Sequence, residues 1–457
     1  MQLTTQVCTS NDIHREIPVL DEYRRVVLDN GLCVIGVENP ALHYFSCHAR
    51  VHAGPRFEPR PHAGLTHMLE HMIIQGSENF PTSRDIMRAV EDLGGIIDAS
   101  THPESLDVYV GLHRKHWQKG LDIFTDILMH PLFDEGEILQ EKGILAQEIS
   151  NHRDDQQRNI SAQELVYMLM FLEEPDELGS RGSVENTRSF DRQMVVDYYE
   201  KFFVPENMVV SLAGSYDFEE VVGQIRESLG SMPAGQPVPR VISGEVTDRR
   251  ARAFYRTTER QPVVDVDLSH HAYGLPDERF GAMVAASHVL GGGLSSRLFT
   301  RVREEKGLVY RIQSQPVVYS DAGSVDVALS VDGANLVDAC EATLEVLEDY
   351  RENGVTDDEL ESYKENVRCG MDIMCDRPDR LADYLGRQEL LLPADKVRSP
   401  AQFVEEQEAL THEDLQEVIC DIFHPDNANL AVVGPFEPEQ KEGIGELFPA
   451  EAVTGLP

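Results

Sequence analysis

The sequence predicts an α+β protein made of two homologous domains, and three observations carry the prediction. Strand-like and helix-like stretches interleave along all 457 residues, with turn-rich joints suited to hairpins. A segment of the first half, FVPENMVVSLAG (203–214), recurs as FHPDNANLAVVG (423–434), with Phe203/Phe423, Pro205/Pro425, Asn207/Asn427 and Gly214/Gly434 all displaced by 220. A constant offset at four positions marks an internal duplication. Between the copies, SMPAGQPVPR (231–240) interrupts both patterns and leads into a charged run, as a linker does. The expected limits are therefore 1–230 for the first domain, 231–250 for the linker and 251–457 for the second domain.

In chain order, the strand candidates are RRVVLDNGLCVIGVE (24–38), SLDVYVGLH (105–113), NMVVSLAG (207–214), DVDLSHHAYG (265–274) and NLAVVG (429–434). Each is β-branched or alternates apolar with polar residues between turn formers. The helix candidates are GLTHMLEHMII (64–74), SRDIMRAVEDLG (83–94), WQKGLDIFTDILMH (117–130), DEGEILQEKGILAQEISNHRDD (134–155) and GANLVDACEATLEVLEDYREN (333–353). Their apolar residues recur at helical spacing.

Composition narrows the function. A hydrophobic share of 41% with 26% charged residues fits a soluble globular chain. Forty basic against 80 acidic residues give a net charge of -40, which argues against a nucleic-acid surface and fits solubility, salt adaptation or attraction of basic substrates. The first residues, MQLTTQVCTSNDIHREIPVLDEYRR, lack a basic stretch followed by an apolar one, and no apolar run approaches membrane-spanning length. A soluble, cytoplasmic protein without a membrane partner is expected. Seven scattered cysteines without a C-x-x-C pair suggest reduced, mainly buried thiols.

One helix carries chemistry. In GLTHMLEHMIIQG (64–76), His67, Glu70 and His71 stand in the order H-x-x-E-H. Residues three and four apart share a helix face, so the two imidazoles can take two corners of a zinc tetrahedron. A third ligand must come from another element. Glu141 and Glu148 of the acidic helix are seven residues apart, two turns, and project from one face; either could reach the metal. The duplication tests the assignment: adding 220 to His67, Glu70, His71 and Glu148 lands on Ser287, Leu290, Gly291 and Arg368, so the second domain lacks the site.

HMLEH followed 77 residues later by Glu148 resembles the inverzincin signature of the pitrilysin/insulinase family of zinc peptidases. The chain looks most like the family's short bacterial members, which resemble the mitochondrial processing peptidases. The blocks HAGPRFEPRPHAGLTHMLEHMIIQGSENFP, LGGIIDASTHPESLDVYV and GSVENTRSF also resemble the family's first domain, and LGGGLSSRLFTRVREEKGLVY its second. The resemblance implies two α+β domains, each a mainly antiparallel sheet with helices packed on one side.

It further implies one zinc (Zn2+) per chain, held by His67, His71 and Glu148, with Glu70 as general base and Glu141 orienting a ligand. Arg303 and Tyr310 correspond to an Arg/Tyr pair that faces the zinc site from a second domain and donates to the developing oxyanion. Asp98, Ala99 and Ser100 correspond to the edge strand to which a peptide adds as an extra strand. Asp98 stands where the family usually has Asn, and its charge favours a basic residue in the substrate. The expected function is a zinc-dependent endopeptidase acting on peptides or short unfolded segments in an enclosed dimeric chamber. The expected assembly is a homodimer with two composite sites, or a heterodimer with a related chain. The alternative is a non-catalytic or partner-dependent peptide-binding subunit of a heteromeric processing complex, against which the intact ligand set counts.

Overall fold

The structure, a computed structural model, describes residues 23–171, 182–239 and 249–456. Cys8, the rest of the first 22 residues and positions 240–248 of the expected linker lie outside the described residues.

Two six-stranded sheets form, one from each half. The first contains β1 (Arg24–Val27), β2 (Cys33–Glu38), β3 (Tyr44–Val51), β4 (Ile96–Thr101), β5 (Leu106–His113) and β6 (Met208–Gly214), in the order β1-β2-β6-β3-β5-β4. The second contains β7 (Arg252–Thr257), β8 (Val264–Ala272), β9 (Val309–Val318), β10 (Gly323–Val331), β11 (Ala428–Gly434) and β12 (Glu451–Ala452), in the order β12-β7-β11-β8-β10-β9. Without β1 and β12, the two sheets have one topology. Pairing is antiparallel except for β2 with β6, and β7 with β11 and β12. The stretch 24–38 folds as the β1–β2 hairpin, with Gly31 at a φ of 94° that glycine adopts without steric cost.

Alternation explains how each sheet is covered. In β3, Phe45, Cys47, Ala49 and Val51 point into the first core with the helices Trp117–Met129 and Arg192–Phe202, whereas Ser46, His48 and Arg50 point the other way. That opposite face is covered by a helix from the other half. Leu381, Ala382 and Leu385 of the helix Pro378–Leu391 pack on Cys33, Ile35, Val209 and Ala213. Reciprocally, Ala162, Leu165, Val166 and Leu169 of the helix Ala162–Met170 pack on Phe254, Ala431 and Val433 of the second sheet. Ala162/Ala382 and Leu165/Leu385 are again 220 apart, so the duplicated helices are exchanged between the halves. Each half's own helices lie on one side of its sheet, as expected, and the exchanged helix fills the other.

The polar contacts beneath the exchanged helices have diverged. In the first sheet, Arg50 of β3 bonds its cross-strand neighbour Asp107 (Nε to Oδ1 2.6 Å) and Asp383 of the incoming helix (2.6 Å). The matching pair in the second sheet is Ser269 and Asp326, and Asp267 is buried nearby without an arginine in the matching position. The Tyr167 hydroxyl of the incoming helix donates to Asp326 at 2.5 Å.

The second half packs tightly at the positions offset from the histidine helix. Ser287, Leu290 and Gly291 are buried on the helix Phe280–Gly291. Ser287 and Ser314 hydroxyls are 2.9 Å apart, and a Cβ at Gly291 would meet the Ser314 nitrogen at 2.3 Å. Among the described residues, no helix is long and apolar enough to cross a membrane. Of the described cysteines, Cys33, Cys47 and Cys340 are buried, Cys375 partly so, and Cys369 and Cys420 exposed.

Candidate metal centre

The histidine helix, Leu65–Ile73, begins at Gly64, whose φ of 97° again requires a left-handed backbone. Its first amides are satisfied by a buried carboxylate. Glu58 accepts the Gly64 N–H (2.6 Å) and both the N–H and the hydroxyl of Thr66. The Tyr198 hydroxyl in turn lies 2.6 Å from that of Thr66. Burial pushes the Glu58 carboxyl up, and these donors oppose the shift. A negative charge at this end also complements the helix dipole. Leu65, Met68, Leu69, Met72 and Ile73 anchor the helix in the core, which turns His67, Glu70 and His71 toward its accessible side.

The second contributor is the acidic helix, Glu135–Asn151, capped by Asp134 on the amides of Gly136 and Glu137. Glu141 is buried and lies 2.8 Å from His71 Nδ1, while Gln75 donates to its other oxygen at 2.9 Å. With Nδ1–H donated to Glu141, His71 presents the lone pair of Nε2. That nitrogen is 3.9 Å from Glu148 Oε2, and His67 Nε2 is 3.6 Å from the same oxygen. The two rings are nearly perpendicular, with centroids 4.9 Å apart. Ligand atoms of His67, His71 and Glu148 all lie within 4.8 Å of one another, the one such trio among the described residues. Two imidazoles and one carboxylate, partly exposed and oriented by a buried acid, fit the three-ligand pattern of a catalytic zinc with an open position.

Glu70 sits on the same helix between the two histidines. Burial raises its carboxyl above the ordinary range; Thr101 and His71 hold it down, and Asp98 adds to the rise. Thr101 and Asp98 belong to β4, which pairs with β5 on one side and forms the open edge of the first sheet. Along β4, Asp98 is exposed, Ala99 is buried and Ser100 is intermediate. Arg303 lies on the π-helical turn Phe299–Glu305 and Tyr310 on the edge strand β9. The Arg303 guanidinium stands 5.9 Å from the Tyr310 ring centroid, and Tyr310 is 81% exposed. These two residues contact each other, and no hydrogen bond joins them to His67, Glu70, His71 or Glu148 among the described residues.

Three supporting residues were not apparent from sequence: Glu58, Gln75 and Thr101. Gln75 had a signal, since it lies one turn beyond His71 on the same face. Glu58 and Thr101 reach the site through tertiary contacts that no local spacing encodes.

The family profile described as Insulinase (Peptidase family M16) matches residues 34–176, and that described as Peptidase M16 inactive domain matches residues 189–367. An uncharacterized zinc protease of Bacillus subtilis (strain 168), YmxG, is 26% identical over 90% of this chain and 98% of its own length. An uncharacterized zinc protease of Streptomyces coelicolor is 28% identical over 91% of this chain and 90% of its own. Among solved structures, a protease from Helicobacter pylori superposes with a TM-score of 0.83 at 18% identity, covering 91% of this chain and 100% of that one. The periplasmic protease PqqL of Escherichia coli gives 0.75 at 18% identity, covering 96% of this chain and 52% of that one.

Proposed function

The chain belongs to the insulinase family of peptidases, peptidase family M16, and from that premise we propose that it is a zinc-dependent endopeptidase hydrolysing peptides or short unfolded segments. The observation that carries the reading is the convergence of His67, His71 and Glu148 beside Glu70. Bound zinc would supply Lewis acidity toward the scissile carbonyl and the attacking water. His67 and His71 would hold it through Nε2 and Glu148 through a carboxylate oxygen, with Glu141 fixing the His71 ring. Glu70 accepts the proton of the attacking water and returns it to the leaving amine.

The open edge of β4 offers backbone N–H and C=O groups to a peptide adding as a further strand. Asp98 then favours a basic side chain in that peptide. Arg303 and Tyr310 supply donors to the oxyanion. Their exposed placement in the second half suits a site completed across subunits, so the assembly is a homodimer enclosing a chamber, with one zinc per chain. A heterodimer with a related chain would use the same geometry. Exposed, unbridged Cys369 and Cys420 support a reducing, cytoplasmic setting.

The test is metal content alongside hydrolysis of a mixed peptide library. Wild type is expected to carry about one zinc per chain and to cleave, and His71→Ala and Glu148→Ala to lose both. Undiminished cleavage by a zinc-free His71→Ala protein would overturn the reading.

A further inference from the structure

Away from the histidine helix, the second half contains a largely apolar pocket of about 390 Å3. Phe280 and Val284, Pro316 and Val318 of β9, Met374 and Phe403 form its walls. This volume falls within the roughly 300–1,000 Å3 of small-molecule sites.

Its polar groups are unusual for a chain of net charge -40. Three arginines, Arg380, Arg387 and Arg398, border the apolar walls, with Asp383 as the acid of the lining. Asp383 is engaged by Arg50 at 2.6 Å, and Arg398 by Glu406 at 2.7 Å. Among the described residues Arg380 pairs with Asp379 at 3.9 Å, an acid that Arg377 holds at 2.8 Å. Arg387 donates one N–H to the Val318 carbonyl at 3.2 Å, leaving most of its five donors available. Among the described residues the Tyr384 hydroxyl is buried without a hydrogen bond of ordinary geometry, and Gln388, Arg398 and Glu406 are the polar side chains around it. The nearby Gln388 amide is committed to the backbone of Arg398 at 3.0 and 3.1 Å. Arg387 also borders a second cavity of about 300 Å3, whose wall includes the 102–105 turn between β4 and β5.

We propose that this pocket binds amphipathic monocarboxylates, with the apolar tail against Phe280, Val284 and Phe403 and the carboxylate on Arg387. A planar guanidinium fork matches a carboxylate in two-point contact. The apolar walls reject strongly hydrated inorganic anions, and the arginines favour a charged head over a neutral one. Two sources share this chemistry: a medium-chain fatty acid and the apolar carboxyl terminus of a peptide.

Titration calorimetry on the full chain tests the proposal with decanoate and N-acetylphenylalanine, each beside its neutral amide. At least one carboxylate is expected to bind tenfold or more tighter than its amide. Arg387→Gln should weaken that binding at least tenfold, and Val284→Trp, which fills the tail space, should abolish it. Circular dichroism verifies that both variants are folded; if Val284→Trp is not, Arg380→Gln together with Arg387→Gln provides the second reading. Preference for decanoate assigns the fatty-acid source, and preference for N-acetylphenylalanine the peptide terminus. Failure of both carboxylates to bind at millimolar concentration, or equal binding by wild type and Arg387→Gln, would overturn the proposal.

Discussion

Glu141 sets how the histidine helix presents its nitrogens, because its carboxylate takes the Nδ1 side of His71 and is itself held by Gln75. Glu141→Gln should keep the fold and lower zinc affinity by roughly 10- to 100-fold, the usual scale for an outer partner of a ligand; unchanged affinity in chelator competition would contradict that role. Glu58 acts one step further out, on the first turn of the same helix. Glu58→Ala leaves buried amides unsatisfied and should lower stability by about 1–3 kcal/mol in denaturant titration. At this scale, His67, Glu70 and His71 were legible because helical geometry fixes which face they share; that geometry left Glu141 and Glu148 as alternatives, and the family resemblance singled out Glu148. Glu58 and Thr101 were not, since a loop and an edge strand deliver them from a distance.

The elements that most shape the molecule are the exchanged helices Ala162–Met170 and Pro378–Leu391. Leu165 and Leu385 are fully buried under the opposite half's sheet, so Leu165→Ala and Leu385→Ala should each cost about 2–5 kcal/mol. Because each half covers the other, both changes should shift one cooperative calorimetric transition, whereas two independent transitions would contradict the interlock. The five strand stretches and five helices named from periodicity fold as read, whereas β3, β7, β9 and β10 and both exchanged helices were not among them. The exchange was not readable: the apolar spacing of AQELVYMLM (162–170) reveals that a face is buried, never which sheet buries it.

The same interface carries a pH dependence. Asp326 collects hydroxyls from Tyr167, Ser269 and Ser324. Asp267 has a 3.2 Å contact with Ser269, whose single proton points to one acid at a time. Burial, reinforced by each other's charge in the case of Asp267, raises both carboxyls, and Asp267 retains the proton more readily. A raised folded pKa contributes stability that is full below the ordinary carboxylate range and is lost as pH rises through the raised value. Asp267→Asn should therefore gain in melting temperature relative to wild type as pH rises above the ordinary carboxylate range. A difference independent of pH would contradict the assignment.

For the whole molecule, the 220-residue offset revealed the duplication, and the counterparts of the site residues, Ser287, Leu290, Gly291 and Arg368, are not a ligand set. Subunit arrangement is not written in local pattern, since an exposed Tyr310 has the same sequence signal whether it meets solvent or a partner. Mixing Glu70→Gln chains with Tyr310→Phe chains should restore activity if sites are shared, because one site of the mixed dimer has both residues intact. No recovery after verified subunit exchange would place each site within one chain.

The central claim, that Glu70 performs proton transfer beside a zinc held by His67, His71 and Glu148, is tested most directly by Glu70→Gln. Zinc should remain at about one per chain while peptide turnover falls by roughly 10²- to 10⁴-fold. Turnover equal to wild type at full zinc occupancy would contradict it.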